Sequence, residues 1–162
     1  MNSTVNTLIE KMMPAFCESV KQTFETMVFM NIKCGVAGPR LPNQPRGWIS
    51  GTIGLSGDGV CGSVSLVLVR SMAEKCFRSM MMMGDSDPVK ENEVMDAIGE
   101  IANMTAGGSK AILQEQGIKF VIGLPTVVVG EDHYISSPAD AATSIVAVDS
   151  DKGGFFIQVS VS

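Results

Sequence analysis

The chain has 162 residues, of which 45% are apolar and 18% charged, enough apolar material for a packed core and too little charge for a disordered tract. Its net charge is −5, and its 12 lysines and arginines are scattered, so no basic tract can neutralise a run of phosphates and nucleic acid is argued against as a partner. The four cysteines, Cys17, Cys34, Cys61 and Cys76, stand 15 to 27 residues apart with no C-x-x-C pair. Neither a zinc site nor a redox dithiol is indicated, and free thiols in a cytoplasmic protein are expected.

In the first segment Val5, Leu8, Ile9, Met12, Met13, Phe16, Val20, Phe24 and Met27 recur at helical spacing, which predicts a long amphipathic helix with Ser3 or Thr4 at its start. Glu10, Lys11, Glu18 and Lys21 interrupt it well before the roughly 20 apolar residues of a membrane span, and neither a signal peptide nor a membrane partner is expected. The stretch from Asn31 to Gly47 holds three prolines and three glycines, an irregular connection able to shelter an edge strand. WISGTIGLS and VCGSVSLVLV then flank Gly57-Asp58-Gly59 as a β-hairpin, with Ile49, Ile53 and Leu55 on one face of the first arm and Val60, Val64, Leu66 and Leu68 on one face of the second.

A short helix is predicted from Arg70 to about Met82, its run Met80 to Met83 filling core gaps. Asp87-Pro88 offers a cap and a first helical proline for a second long helix continuing through Leu113. After Gly117 the runs FVIGLPTVVVG, HYISS, TSIVAVDS and FFIQVSV read as strands, the last two as another hairpin. Each half thus runs long helix, irregular connection, hairpin. The expectation is an α+β fold in one domain over residues 1–162: a mainly antiparallel sheet packed with two long helices and a shorter one, built as a duplicated helix-plus-hairpin unit.

Chemistry concentrates on the second long helix. Glu93, Asp96, Glu100, Asn103, Gly107 and Lys110 follow a 3-4-3-4-3 spacing and line one stripe. The opposing stripe of Val94, Ala97, Ile98, Ile101, Thr105, Gly108 and Ile112 is small or apolar and suits a sheet. Gly99, Gly107 and Gly108 each cost the helix about 1 kcal/mol relative to alanine, which leaves two readings: clearance for another macromolecule beside Glu100 and Asn103, or close packing of the helix on its own sheet. The trailing GGSKA has Ser109 before Lys110 inside a helix and lacks the order of a nucleotide-binding loop. His133, the one histidine, has no Cys or His at metal spacing and reads as structural. Trp48 and Tyr134 are too few for a base-stacking platform and suit anchoring roles.

The string ENEVMDAIGEIANMTAGGSKAIL resembles the signature helix of the CheC/CheX/FliY group of chemotaxis proteins, through Glu100-Ile101, Asn103-Met104 and Ala106-Gly107. CheC proteins typically carry E-x-x-N twice. Here it occurs once, since the first helix has Glu10 but Met13 three residues on, and the single copy makes the chain most similar to CheX. The resemblance implies a phosphatase for the phospho-aspartate of a CheY-like receiver domain, in which Glu100 and Asn103 are inserted into the receiver's site, with Asp96, Gly99 and Gly107 at the contact. It also implies that the chain binds no cofactor of its own, that Mg²⁺ and a lysine belong to the receiver, and that the chain is a homodimer joined through sheet edges. The alternative is a non-catalytic module that binds receivers or the flagellar switch.

Overall fold

A computed structural model describes residues 3–57 and 59–162. Asp58, at the tip of the expected first hairpin, lies outside the described residues. The first helix, α1 (Ser3–Thr23), keeps Pro14 on its exposed side and passes into a wide turn over Phe24–Val28. Phe29 closes that turn in the left-handed region, with its N–H donated to Phe24 O. The irregular connection contributes two short strands, β1 (Ile32–Cys34) and β2 (Gly38–Pro39). The first hairpin is β3 (Gly47–Gly57) with β4 (Val60–Leu68), and α2 (Arg70–Met80) follows. The motif helix α3 (Glu91–Glu115) leads into β5 (Val121–Ile122), β6 (Thr126–His133) and the second hairpin, β7 (Ala142–Ser150) with β8 (Gly153–Val161).

All strand pairs are antiparallel in one sheet ordered β1-β7-β8-β4-β3-β5, with β2 also on β7 and β6 also on β3. The two hairpins meet at the centre, where β4 pairs with β8 from Gly62↔Val161 to Val67↔Phe156. The short strands that follow α1 pair with the second hairpin, and those that follow α3 pair with the first. The helices cross over in the same way, α1 packing on β7 and β8, and α3 on β3, β4 and β6. Each half completes the other, as expected of a duplicated helix-plus-hairpin unit.

The alternation foreseen for the hairpins seats the core. Ile49, Ile53, Leu55, Val64, Leu66 and Leu68 are buried under α1 and α3 together with Phe16, Val20, Ile98, Ile101 and Leu113. Phe24 and Phe155 stack at 5.0 Å between ring centroids. Where α3 crosses β3 the contact is close, since a methyl group on Gly51 would lie 3.1 Å from Ala102 Cβ. The opposite sheet face carries hydroxyl pairs: Thr52 and Ser65 share a hydrogen bond of 2.8 Å, and Ser160 joins Ser137 and Thr143 at 2.6 and 2.9 Å.

Three local expectations are corrected. Met81 and Met82 are exposed, 81% in the case of Met82, because Met82 has φ 54° and turns the chain out of α2 instead of continuing into the core. Asp87 does not cap α3; its carboxylate accepts the Gly84 N–H at 2.7 Å and closes the preceding turn, so α3 begins later, where Lys90 N–H donates to Glu93. HYISS forms no strand beyond His133, for the Ile135 carbonyl is satisfied by the side chains of Arg40 and Gln158 and not by a neighbouring strand.

Candidate functional site

Helix α3 is held in place on two sides. Its inner face buries Val94, Ala97, Ile98, Ile101, Ala102, Thr105, Ala106 and Leu113. Beside it, α1 approaches closely enough that Ser19 Oγ donates to Thr105 O at 2.7 Å. A side chain on Gly108 would fall on that Ser19 hydroxyl, so Gly108 is what permits the crossing. Ala102, Ala106, Ser109 and Leu113 widen the buried face beyond the single stripe expected. Their small side chains are the signal that α3 touches a helix as well as a sheet.

On the outer side, Glu93, Asp96 and Glu100 are exposed, and Asn103, Gly107 and Lys110 are half-buried. The spacing of the stripe is therefore realised as one surface. Among the described residues neither the Glu100 carboxylate nor the Asn103 amide has a hydrogen-bond or ion-pair partner; the three ion pairs lie elsewhere, at Arg46–Asp132, Arg70–Glu74 and Arg78–Glu74. An acid and an amide one turn apart are thus held on a rigid helix with their polar atoms unengaged. They can accept a cation, orient a water, or hydrogen-bond an anion's oxygens.

The glycines divide. Gly107 has nothing within 4 Å of where a Cβ would stand, so the surface beyond Asn103 is open. Gly99 belongs to the other reading: it is buried, and a Cβ there would lie 3.2 Å from Val127 Cγ2 and 4.0 Å from Pro125 Cβ. Its missing side chain admits β6, which removes it from the surface expected to meet a partner. The contact at Pro125 brings up a neighbour that spacing along one helix did not show. Leu124, 88% exposed, stands on the β5–β6 loop beside α3, and Met104 is exposed next to Asn103. The signal for Leu124 was present in the sequence as a Leu-Pro pair breaking an apolar run.

The remaining candidates are structural. His133 receives no substrate: its Nδ1–H donates to Gly130 O at 2.6 Å, so Nε2 accepts from Ser50 Oγ at 3.0 Å, and Ser50 is 1% exposed. That serine–histidine pair ties the end of β6 to β3. Arg70 lies over Trp48 and Arg46 over Tyr134, at 5.0 and 5.3 Å from the ring centroids, so Trp48 of β3 holds the start of α2 and Tyr134 holds the segment before β3.

A sequence model described as chemotaxis phosphatase CheX matches residues 49–149, the span from β3 through α3 to β7. The chain belongs to the CheX family. A comparison with curated proteins returns no match. Among solved structures it is similar to chemotaxis protein CheX from Vibrio vulnificus, at 30% identity and TM-score 0.85 over 94% of this chain and 99% of that one. It is also similar to a CheC-like superfamily protein from Shewanella sp. PV-4, at 28% identity and TM-score 0.85 over 100% and 99%. The fold is shared, at 22% identity and TM-score 0.72 over 93% and 96%, with the CheX of a CheX–CheY–BeF3–Mg²⁺ complex from Borrelia burgdorferi. The family match takes in the whole of α3, and so the outer stripe with Glu100 and Asn103. No described helix is long and apolar enough to cross a membrane.

Proposed function

We propose that this CheX-family chain is a cytoplasmic phosphatase that removes the phosphoryl group from the phospho-aspartate of a CheY-like receiver domain, with Glu100 and Asn103 entering the receiver's site together. The observation that carries this reading is the pair itself: two unengaged polar side chains one turn apart on the outer side of α3, with open space at Gly107. The Borrelia burgdorferi relative, solved in complex with CheY, BeF3 and Mg²⁺, supports the choice of partner, since BeF3 has the shape of a phosphoryl group.

An acyl phosphate is already activated, so its hydrolysis chiefly needs a water held in line with the bond to the aspartate and stabilised charge on the equatorial oxygens. Asn103 supplies an amide oxygen to orient the water and an NH₂ to donate to a phosphoryl oxygen, and it does not titrate near neutral pH. Glu100, one turn earlier, pairs with the receiver's lysine and sets the docking register. Placing the carboxylate on the lysine also keeps its negative charge off the phosphoryl group. The chain needs no cofactor of its own, because Mg²⁺ is held by the receiver. Asp96 and Leu124 extend the contact around the pair, and Gly107 leaves clearance for the receiver's loops.

The same surface leaves a sheet edge for a second copy. Of the two edges, that of β1 and β2 is three and two residues long, whereas β6 runs for eight residues with Val128 exposed. A homodimer paired along β6 would cover the longer edge.

The test follows loss of acyl phosphate from a purified, phosphorylated CheY-like receiver with and without a substoichiometric amount of this chain. Multiple turnovers by each chain are expected. Binding to the phosphorylated receiver without faster loss of phosphate would make the chain a non-catalytic module instead.

A further inference from the structure

Cys17 and Cys34, 17 residues apart, are brought together by the packing of α1 beside β1. Both side chains line one surface groove of about 600 Å³ bounded by Met13, Pro14, Gly35 and Ala37, and each thiol shifts the titration of the other. The other two cysteines are placed differently: Cys61 is exposed in a separate depression with Ser63 and Pro138, and Cys76 is fully buried. The lack of a C-x-x-C spacing had argued against a redox dithiol. The fold supplies the juxtaposition that the spacing does not.

We propose that Cys17 and Cys34 form a redox-active dithiol, open to solvent through this groove, which a low-molecular-weight disulfide oxidises to an intramolecular disulfide. The roles of the two sulfurs differ. The neighbouring Cys17 thiol holds that of Cys34 below the ordinary value, with the Lys21 ammonium helping and burial and Glu18 opposing. Cys17 is raised by Cys34 in turn and by burial, so it retains its proton while Cys34 is the attacking thiolate. Burial pushes the Cys76 thiol up to about 12, which leaves it inert.

In the first step the Cys34 thiolate attacks one sulfur of R–S–S–R, forming Cys34–S–S–R and expelling RS⁻. Cys17 then loses its proton and attacks the Cys34 sulfur, forming the Cys17–Cys34 bond and expelling the second RS⁻. The two protons released by the cysteines leave on the two thiols, so two protein thiols are oxidised and one disulfide is reduced to two RSH. The new bond fastens edge strand β1 to α1 and closes the loop between them.

The experiment treats the full chain carrying Cys61→Ser with oxidised glutathione and follows intact mass and peptide maps. The expected product is lighter by two hydrogens, carries no glutathione, links the Cys17 and Cys34 peptides within one chain, and reverts on adding excess reduced thiol. Adding Cys17→Ser should halt the reaction at a glutathione adduct on Cys34, and adding Cys34→Ser should leave Cys17 unmodified over the same time, each variant melting as a single folded species. No reaction, a persistent adduct on Cys34 while Cys17 is present, or a disulfide between two chains would overturn the proposal.

Discussion

Asn103 and Gly107 define what a single side chain can do at this surface. Asn103 is half-buried, yet its amide has no internal partner among the described residues. That combination suits a group that must hold a water at fixed angle. Gly107 lies one turn beyond it with open space at its Cβ position. A methyl group there meets nothing within this chain and obstructs only what approaches from outside. Gly107→Ala is therefore expected to lower the dephosphorylation rate at limiting receiver concentration, through KM more than kcat, while the variant becomes more stable. Steady-state kinetics beside a denaturant melt separate the two effects; unchanged KM would show that no partner passes over Gly107.

At the scale of elements, the position of α3 rests on its close contacts, and two adjacent glycines report them with opposite signs. Gly107→Ala should stabilise the fold by about 1 kcal/mol through helix propensity alone. Gly108→Ala gains the same propensity but drives Ser19 Oγ off Thr105 O, leaving the buried Ser19 hydroxyl without its partner at a cost of about 2 kcal/mol. A net loss of about 1 kcal/mol in urea denaturation is expected. Equal effects at the two positions would mean that α1 does not cross α3 at Gly108. On the other side of the sheet, Val128→Lys places a charge on the exposed edge strand β6; if copies pair along β6 as proposed, sedimentation should show dimers of the unmodified chain and monomers of the variant. A dimer that survives the lysine pairs along another surface.

These contacts also explain which parts were legible beforehand. The outer stripe of α3 followed from spacing, because a helix fixes the relative direction of residues three and four apart whatever surrounds it. The two hairpins followed from alternation and their turn residues, for the same local reason. The duty of each glycine did not follow, since Gly99 and Gly107 differ only in whether β6 lies over them. The Cys17–Cys34 contact and the Ser50–His133 pair were hidden likewise, because they join residues on different elements. Met82 misled because composition alone favours burial of methionine, whereas its backbone turns outward.

The whole molecule is two helix-and-hairpin halves that complete each other, yet only one half presents the pair. At the equivalent place on α1, Glu10 is exposed but Met13 is 3% exposed and belongs to the core. A buried methionine offers neither a water-orienting oxygen nor an amide donor, so α1 cannot serve as a second active surface. Titration of the chain with a receiver held in its phosphorylated form, by calorimetry, should therefore saturate at one receiver per chain. Two receivers per chain would restore a role for α1.

The most direct test of the central claim compares the unmodified chain with Asn103→Ala at saturating concentration over a fixed amount of phosphorylated receiver, measuring the first-order loss of acyl phosphate. Removing one positioned group from a phosphoryl-transfer site typically costs about 100-fold or more in rate, so Asn103→Ala should fall nearly to the receiver's own rate while still binding it. If Asn103→Ala accelerated dephosphorylation as fully as the unmodified chain, Asn103 would not be the residue that positions the water.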